Sequence, residues 1–296
     1  MISPKFYFKN KPCCPQEIKI AASADPARSR IDRSFLRHLL NSAGLSSLFT
    51  FIGMPPVLLK DMLDILWETK TLSCELKFEI DADCPAKTLR MIFERFADFE
   101  QEARKFQILP RVKLSLLINL NGKCSLNKFK RIRGKLQAQG VGGFALLHYA
   151  GPGDLILIRK VCAQLQLKND PLIVYSRVMD KDLVRTLVQN NNVFTFHDGL
   201  NRRCYGRLEK NLKIGCGAGK KRLFILSDGT VYPCYGAFLQ AKPMGIAHAG
   251  QLAGMIGRYV LPKVSEKCRG CKKSADCEKC RFMPPAVEKI LCKAGR

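Results

Sequence analysis

Thirteen residues, CRGCKKSADCEKC (268–280), hold four cysteines: Cys268, Cys271, Cys277 and Cys280. Cys204, Cys216 and Cys234 precede them and Cys292 follows, so eight of the chain's 14 cysteines fall between residues 204 and 292. A Cys-x2-Cys pair suits a metal because a tight turn brings both thiolates to one centre while backbone N–H groups point at the sulfurs. A cubane iron–sulfur cluster takes four thiolates, so eight cysteines match the requirement of two. In two-cluster ferredoxins the last cysteine of a run ligates the other cluster, and such a crossover would tie this run to the cysteines on either side of it. Zinc is the alternative. Its ribbons separate two Cys-x2-Cys pairs by about 15–20 residues, whereas five residues separate them here. Free thiols are the third reading. Ligand number and spacing favour two iron–sulfur clusters.

Composition sets the surroundings of this chemistry. A chain of 296 residues has room for about two domains. Hydrophobic residues make up 47% of it, enough for a packed core. No apolar run approaches the 18 residues of a membrane-spanning helix, so no membrane association is expected. The N-terminal MISPKFYFKNKPCCPQEIK lacks the sustained apolar stretch of a secretory signal, which predicts a cytoplasmic protein. Thiols stay reduced in that compartment, and clustered cysteines there hold metals or do redox chemistry. Formal net charge is +25, from 50 Lys and Arg against 25 Asp and Glu. Such a balance points to an acidic protein or peptide partner, including a redox donor with an acidic face, or to nucleic acid. Nucleic acid is the less favoured, because no aromatic-rich RNA-binding signature accompanies the basic residues.

Strand-like and helix-like segments alternate through the first 200 residues. Strands are predicted at 17–22, 48–53, 75–81, 112–119, 142–149, 172–176 and 193–197. Helices are predicted in RSFLRHLLNSAG, closing on Gly44, and in PPVLLKDMLDILWETK, PAKTLRMIFERFADFEQEARKF, SLNKFKRIRGKLQAQG, GDLILIRKVCAQLQL and MDKDLVRTLVQN. This alternation predicts a parallel sheet, as a barrel or an open wound sheet. After about residue 200 the pattern changes. KRLFILSDGTVYPC reads as two strands joined at Asp228-Gly229, a strong hairpin signal. A short helix within GIAHAGQLAGMIGRYV and a final one in PPAVEKILCKAG complete the chain.

Weaker signals have plain readings. IGCGAGKK (214–221) departs from the phosphate-loop template in its glycine spacing and in having Lys221 where Ser or Thr should stand. A glycine-lined approach to Cys216 fits better. Lys128, Lys130, Arg131, Arg133 and Lys135 read as a solvated helix face. Asp154 reads as a cap. Cys84, Cys124, His148 and His197 each fall at or just after the C-terminal end of a predicted strand, the end where parallel barrels place their sites. Convergence of these four on a metal is one reading; four unrelated residues, the cysteines packed as small apolar groups, is the simpler one.

The segment ILSDGTVYPC, preceded by Cys216 and followed by the four-cysteine run and Cys292, resembles the SPASM domain, a C-terminal extension of radical SAM peptide-modifying enzymes that carries two auxiliary 4Fe–4S clusters. The resemblance spans about residues 204–292. It implies a first cluster on Cys204, Cys216, Cys234 and Cys280, and a second on Cys268, Cys271, Cys277 and Cys292. This chain has two residues between Cys277 and Cys280 where the family commonly has three.

The strand–helix alternation before it resembles the partial (β/α)6 barrel of radical SAM enzymes. In that family the loop after the first strand carries Cys-x3-Cys-x2-Cys, which holds the cluster that chelates S-adenosylmethionine. Here the loop is SADPARSRIDRS (23–34), without a cysteine. The family's Gly-Gly-Glu-Pro at the end of the second strand reads Ile52-Gly53-Met54-Pro55, without its carboxylate. The resemblance therefore predicts a degenerate partial barrel over residues 1–200 and a SPASM-like iron–sulfur domain over 201–296. S-adenosylmethionine binding, and radical SAM catalysis by this chain alone, are not expected. The predicted role is electron relay, or accessory binding of a substrate or partner such as a radical SAM enzyme. Two alternatives remain: a divergent radical SAM peptide maturase, and a basic zinc module that binds nucleic acid.

Overall fold

The seven β-branched and apolar runs form seven parallel strands, each followed in sequence by a helix until the last. In the computed structural model the described residues are 17–21, 32–43, 48–69, 71, 73–106, 111–120, 126–166, 172–176, 178, 180–189, 193–195, 218–220, 222–247, 251–260, 262–263, 282 and 290. Outside them lie Gly44, Cys124, His197, Cys204, Cys216, Cys268, Cys271, Cys277, Cys280, Cys292, loop residues 22–31 and most of the predicted final helix.

The parallel strands are β1 (Glu17–Ala21), β2 (Leu48–Met54), β3 (Ser73–Asp81), β4 (Arg111–Asn119), β5 (Gly142–Tyr149), β6 (Leu172–Ser176) and β7 (Val193–Thr195). They lie in sequential order. Right-handed crossovers in that order place every intervening helix on one face of the sheet. The helices are α1 (Arg33–Ala43), α2 (Leu59–Glu68), α3 (Ala86–Lys105), α4 (Leu126–Ala138), α5 (Leu155–Gln166) and α6 (Lys181–Gln189). Their apolar stripes meet the outward side chains of the strands. Phe129, Ile132 and Leu136 of α4, spaced by three and four, and Leu89 and Ile92 of α3 belong to the same core as Leu76, Phe78, Leu114 and Leu116. Helix ends have identifiable causes. Asp32 Oδ1 accepts the N–H groups of Ser34 and Phe35 at the start of α1, and Asp180 Oδ1 those of Asp182 and Leu183 at the start of α6, each a side-chain N-cap. Gly140, at φ +69, lets the chain leave α4.

The predicted hairpin is present as β8 (Arg222–Leu226) and β9 (Thr230–Tyr232), antiparallel, with β10 (Gly245–Ile246) added beside β9. β8 also runs parallel to β1, in register from Glu17 opposite Arg222 to Ala21 opposite Leu226. One sheet, β10-β9-β8-β1-β2-β3-β4-β5-β6-β7, thus passes from the N-terminal segment into the C-terminal one. Two short helices, α7 (Tyr235–Phe238) and α8 (Leu252–Arg258), follow the hairpin strands. The short helix expected in the glycine-rich stretch is α8. Neither α7 nor β10 is among the sequence-predicted elements.

The other face of the sheet is lined by alternate residues. Ala21, Ile52, Leu117, Leu146, Ile173 and Phe224 form a second core with Tyr235 of α7. Strand β3 alternates buried Leu76, Phe78 and Ile80 toward the helices with Glu75, Lys77, Glu79 and Asp81 on the inner face. No helix among the described residues is long and apolar enough to cross a membrane.

Candidate functional site

Two places on the inner side of this sheet carry chemistry: the corner that presents Cys234, and the mouth at the C-terminal ends of β3 to β6. The corner is built by the hairpin. Asp228 Oδ1 accepts the N–H of Thr230 at 2.9 Å, and Gly229 sits at φ +85, where a Cβ would be crowded at 3.0 Å from the Ala247 carbonyl oxygen. The turn sends β9 directly to Cys234, the residue that starts α7. Cys234 is half-buried and packs with Tyr232 and Tyr259 against Ala218, Ala237 and Phe282. Gly219, at φ +75, gives its N–H to the carbonyls of Pro233 (2.8 Å) and Arg222 (3.0 Å). A Cβ on it would meet the Tyr259 ring at 2.2 Å. This glycine serves the packing around Cys234, and its amide is engaged inside the fold rather than offered to a phosphate. The side-chain amide of Gln240 donates to the Phe282 carbonyl.

Tyr235 fastens that corner to the barrel. Its hydroxyl donates to the Ser176 carbonyl at 2.5 Å and accepts the Ser176 N–H at 3.1 Å. Its ring meets Phe224 edge-on at 5.2 Å between centroids and lies 6.2 Å from Tyr175.

In the mouth, four consecutive strands contribute Glu79, Asn119, His148 and Tyr175. Glu79 Oε1 accepts from Asn119 Nδ2 at 3.1 Å and from His148 Nε2 at 2.6 Å. The His148 ring meets Tyr175 edge-on at 5.6 Å. Beside them the β2–β3 register shifts between Ile52 and Met54. Gly53 is the extra residue of this bulge, at φ +67, and an ideal Cβ on it would stand 3.7 Å from Glu79 Oε2. Strand β2 has no carboxylate at its end; the nearest one to Gly53 is Glu79 of the neighbouring β3. Met54, which follows Gly53, is fully buried among the helix-side core. Nearby on the inner face, Lys77 pairs with Glu75 at 3.2 Å.

Of the four rim residues read from sequence, His148 belongs to this mouth. Cys84 does not: it packs against the helix-side core, and its thiol lies 3.8 Å from the Pro85 carbonyl. Partial burial pushes that thiol up from its ordinary value. Cys124 and His197 lie outside the described residues, as do all the predicted cluster cysteines except Cys234. Among the described residues no group of three or more His, Cys, Asp or Glu side chains is arranged to hold a metal. Cys74 and Cys162 are buried in the helix-side core. Burial, then the Glu75 charge, pushes Cys74 up to about 12, and burial pushes Cys162 up to about 11, so both are inert packing groups. Asp154 Oδ2 accepts the N–H groups of Ala150 and Gly151, the capping role its turn implied. The basic face of α4 is solvated, with Lys128 paired to Asp83. The signal for Glu79 was present in ELKFEID, whose charges alternate onto one face. The bulge that brings Gly53 beneath it has no such local mark.

No protein-family model matches the chain, and no curated protein matches it. Solved structures do. Native anSMEcpe with bound AdoMet is 17% identical, with a TM-score of 0.55 over 95% of this chain and 95% of that one. anSMEcpe with AdoMet and the Kp18Cys peptide is 14% identical, with a TM-score of 0.53 over 94% and 99%. Streptococcus suis SuiB bound to its precursor peptide SuiA is 17% identical, with a TM-score of 0.46 over 94% and 73%. At these identities the anSMEcpe likeness establishes architecture: the chain has the fold of the radical SAM enzymes.

Proposed function

We propose that this chain is an iron–sulfur protein in which residues 1–200 form the barrel and residues 201–296 a SPASM-like domain with two 4Fe–4S clusters. Cys204, Cys216, Cys234 and Cys280 would hold the first, and Cys268, Cys271, Cys277 and Cys292 the second. The observation that carries this reading is the packing at Cys234. Ala218 and Phe282 share one apolar cluster with it. Ala218 follows Cys216 by two residues, and Phe282 follows Cys280 by two. Two residues of chain span at most about 7 Å, and this short reach supports assigning Cys216 and Cys280 to the same cluster as Cys234. An apolar, aromatic surround of this kind suits a cluster, whose potential depends on burial and nearby charge. The cluster would supply one-electron chemistry. The chain's own part is to hold Cys234 at the end of a braced hairpin and to surround the run with Lys267, Arg269, Lys272, Lys273, Lys279 and Arg281. Positive charge there raises the potential and favours docking of an acidic redox protein or peptide. The role that follows is electron relay or accessory binding in the cytoplasm.

Anaerobic purification followed by iron, sulfide and zinc analysis tests this. Two clusters give about eight irons per chain. A colourless protein with stoichiometric zinc would overturn the reading and favour the zinc module.

A second reading, a radical SAM enzyme acting on a peptide, has one observation in its favour: the fold likeness extends to anSMEcpe solved with AdoMet and a peptide. Formation of 5′-deoxyadenosine from S-adenosylmethionine by reconstituted protein would select it.

A further inference from the structure

We propose that the outer face of α4 and α5, on the helix side of the sheet, binds the phosphate backbone of a nucleic-acid duplex. Charge is spread very unevenly along the chain. Residues 104–169 carry 13 Lys and Arg and one acidic residue, Asp154, whereas the other 37 Lys and Arg share the rest of the chain with 24 Asp and Glu. Asp154 is engaged as a cap on the N–H groups of Ala150 and Gly151. Lys128, Lys130, Arg131, Arg133 and Lys135 lie on α4, Arg159 and Lys160 on α5, and neither helix contains an acid. Asp83, from the turn before α3, pairs with Lys128. The fold gathers these residues, because α4 and α5 are the crossovers on either side of β5 and so neighbours in the helix layer. Phe129, Ile132 and Leu136 turn one side of α4 to the core, and Leu155, Ile158, Val161 and Leu165 do the same for α5. Lys128, Arg131 and Lys135, spaced by three and four, form an exposed row on α4, and Arg159 and Lys160 are exposed on α5. The α4 row is about 10 Å long, the reach of about three phosphates along one strand of a duplex.

Three features select this occupant. An acidic protein would need an apolar centre in its interface, where Lys is depleted. The residues that α4 exposes are Asn127, Lys128, Arg131, Gly134, Lys135 and Ala138, and among the described residues the exposed large apolar side chain of this pair is Ile156, in the first turn of α5. A single strand would need aromatic platforms for its unpaired bases. Phe129 is the one aromatic residue of the two helices and is fully buried. A duplex keeps its bases stacked and offers phosphates, which need neither. Gly134 is the third feature. It lies inside α4, where glycine destabilises a helix, yet a Cβ on it would meet nothing within 4 Å and its φ is not positive. The fold itself does not require glycine there. Between Arg131 and Lys135 it leaves a bare place where a phosphate can approach the helix backbone closely.

The inference concerns the barrel helices and does not depend on the cysteines carrying iron. Anisotropy on the full-length chain tests it with labelled RNA and DNA duplexes of about 16 base pairs, titrated between about 0.05 and 0.2 M salt. At least one duplex should bind. The double variant Arg131→Gln with Lys135→Gln should weaken it at least about tenfold and lower the slope of log affinity against log salt by about two. An equal change of charge on α2 and α3, Lys60→Gln with Lys87→Gln, should leave affinity within about twofold. Gly134→Leu keeps the charge and suits a helix, and should weaken binding by about threefold or more through lost approach of the phosphate. On the wild-type chain, amine-reactive footprinting should show Lys128, Lys135 and Lys160 protected by the duplex and Lys60 and Lys87 unprotected, a readout that stands even if a variant misfolds. No binding of either duplex, equal weakening by the two double variants, or protection of the same lysines by poly-glutamate as strong as by a duplex would overturn the proposal. The more tightly bound duplex identifies the source as RNA or DNA.

Discussion

Gly53 shows how much one backbone angle can decide. At φ +67 an alanine would enter a region that costs L-residues about 1–2 kcal/mol. Its methyl group would meet only ordinary contact, at 3.7 Å from Glu79. Gly53→Ala is therefore expected to lower stability by about 1–2 kcal/mol, measured as a shift in the urea midpoint, without disrupting the fold. Tyr235→Phe removes a hydroxyl that satisfies both backbone groups of Ser176. Leaving those buried groups unpaired should cost about 1–3 kcal/mol and loosen the corner at Cys234, visible as faster amide exchange at Ser176. Cysteine titration gives a pH prediction. The folded Cys74 and Cys162 thiols titrate at about 12 and about 11, above an unfolded thiol near 8.5. The folded state thus keeps protons that the unfolded state releases. Their contribution to stability is complete below pH ~8.5 and declines as pH rises toward those folded values. Thermal melts between pH 7 and 10 should show the decline beginning, and iodoacetamide at pH 8 should spare both thiols in the native chain. At this scale the sequence was informative where chemistry is local. The cap at Asp154 could be read directly. The loss of the family motif's carboxylate at Met54 could be seen, but the β3 carboxylate beside Gly53 depends on a register shift between two strands.

Elements repeat the lesson with a different boundary. Strands and helices through residue 195 were legible because each has a period, two or 3.6, imposed by a core on one face. α7 has four residues and no period, so nothing in YGAF announces it. β10 has two. Pairing of β8 with β1 was also illegible, because some 200 residues separate the partners and neither run encodes which edge it will meet. Within the barrel, the link between β5 and α6 offers a test. Asp180 caps α6 through Oδ1, while its Oδ2 accepts the hydroxyl of the buried Tyr149. Burial first, and the Asp180 bond next, pushes the Tyr149 phenol upward. Asp180→Ala should lose about 1 kcal/mol of capping and about 1–3 kcal/mol for the abandoned hydroxyl. Asp180→Asn keeps one oxygen to accept the cap N–H groups and offers its NH2 to the Tyr149 hydroxyl, which can accept it, so it should lose less. Denaturant titration of the two variants compares them.

Across the whole molecule, charge dominates. A net +25 should make association with any acidic partner strongly dependent on ionic strength, because the Debye length shortens from about 30 Å at 0.01 M salt to about 8 Å at 0.15 M. Binding of a poly-glutamate peptide, followed by anisotropy, should weaken steeply over that range. The position of β8 has a consequence for synthesis on the ribosome. Until residue 226 has emerged, β1 presents a bare margin of amide and carbonyl groups, the feature that invites pairing between strangers. Maturation of this protein in the cell is therefore exposed to clumping for most of its translation, and chaperone demand should fall abruptly once the hairpin is made.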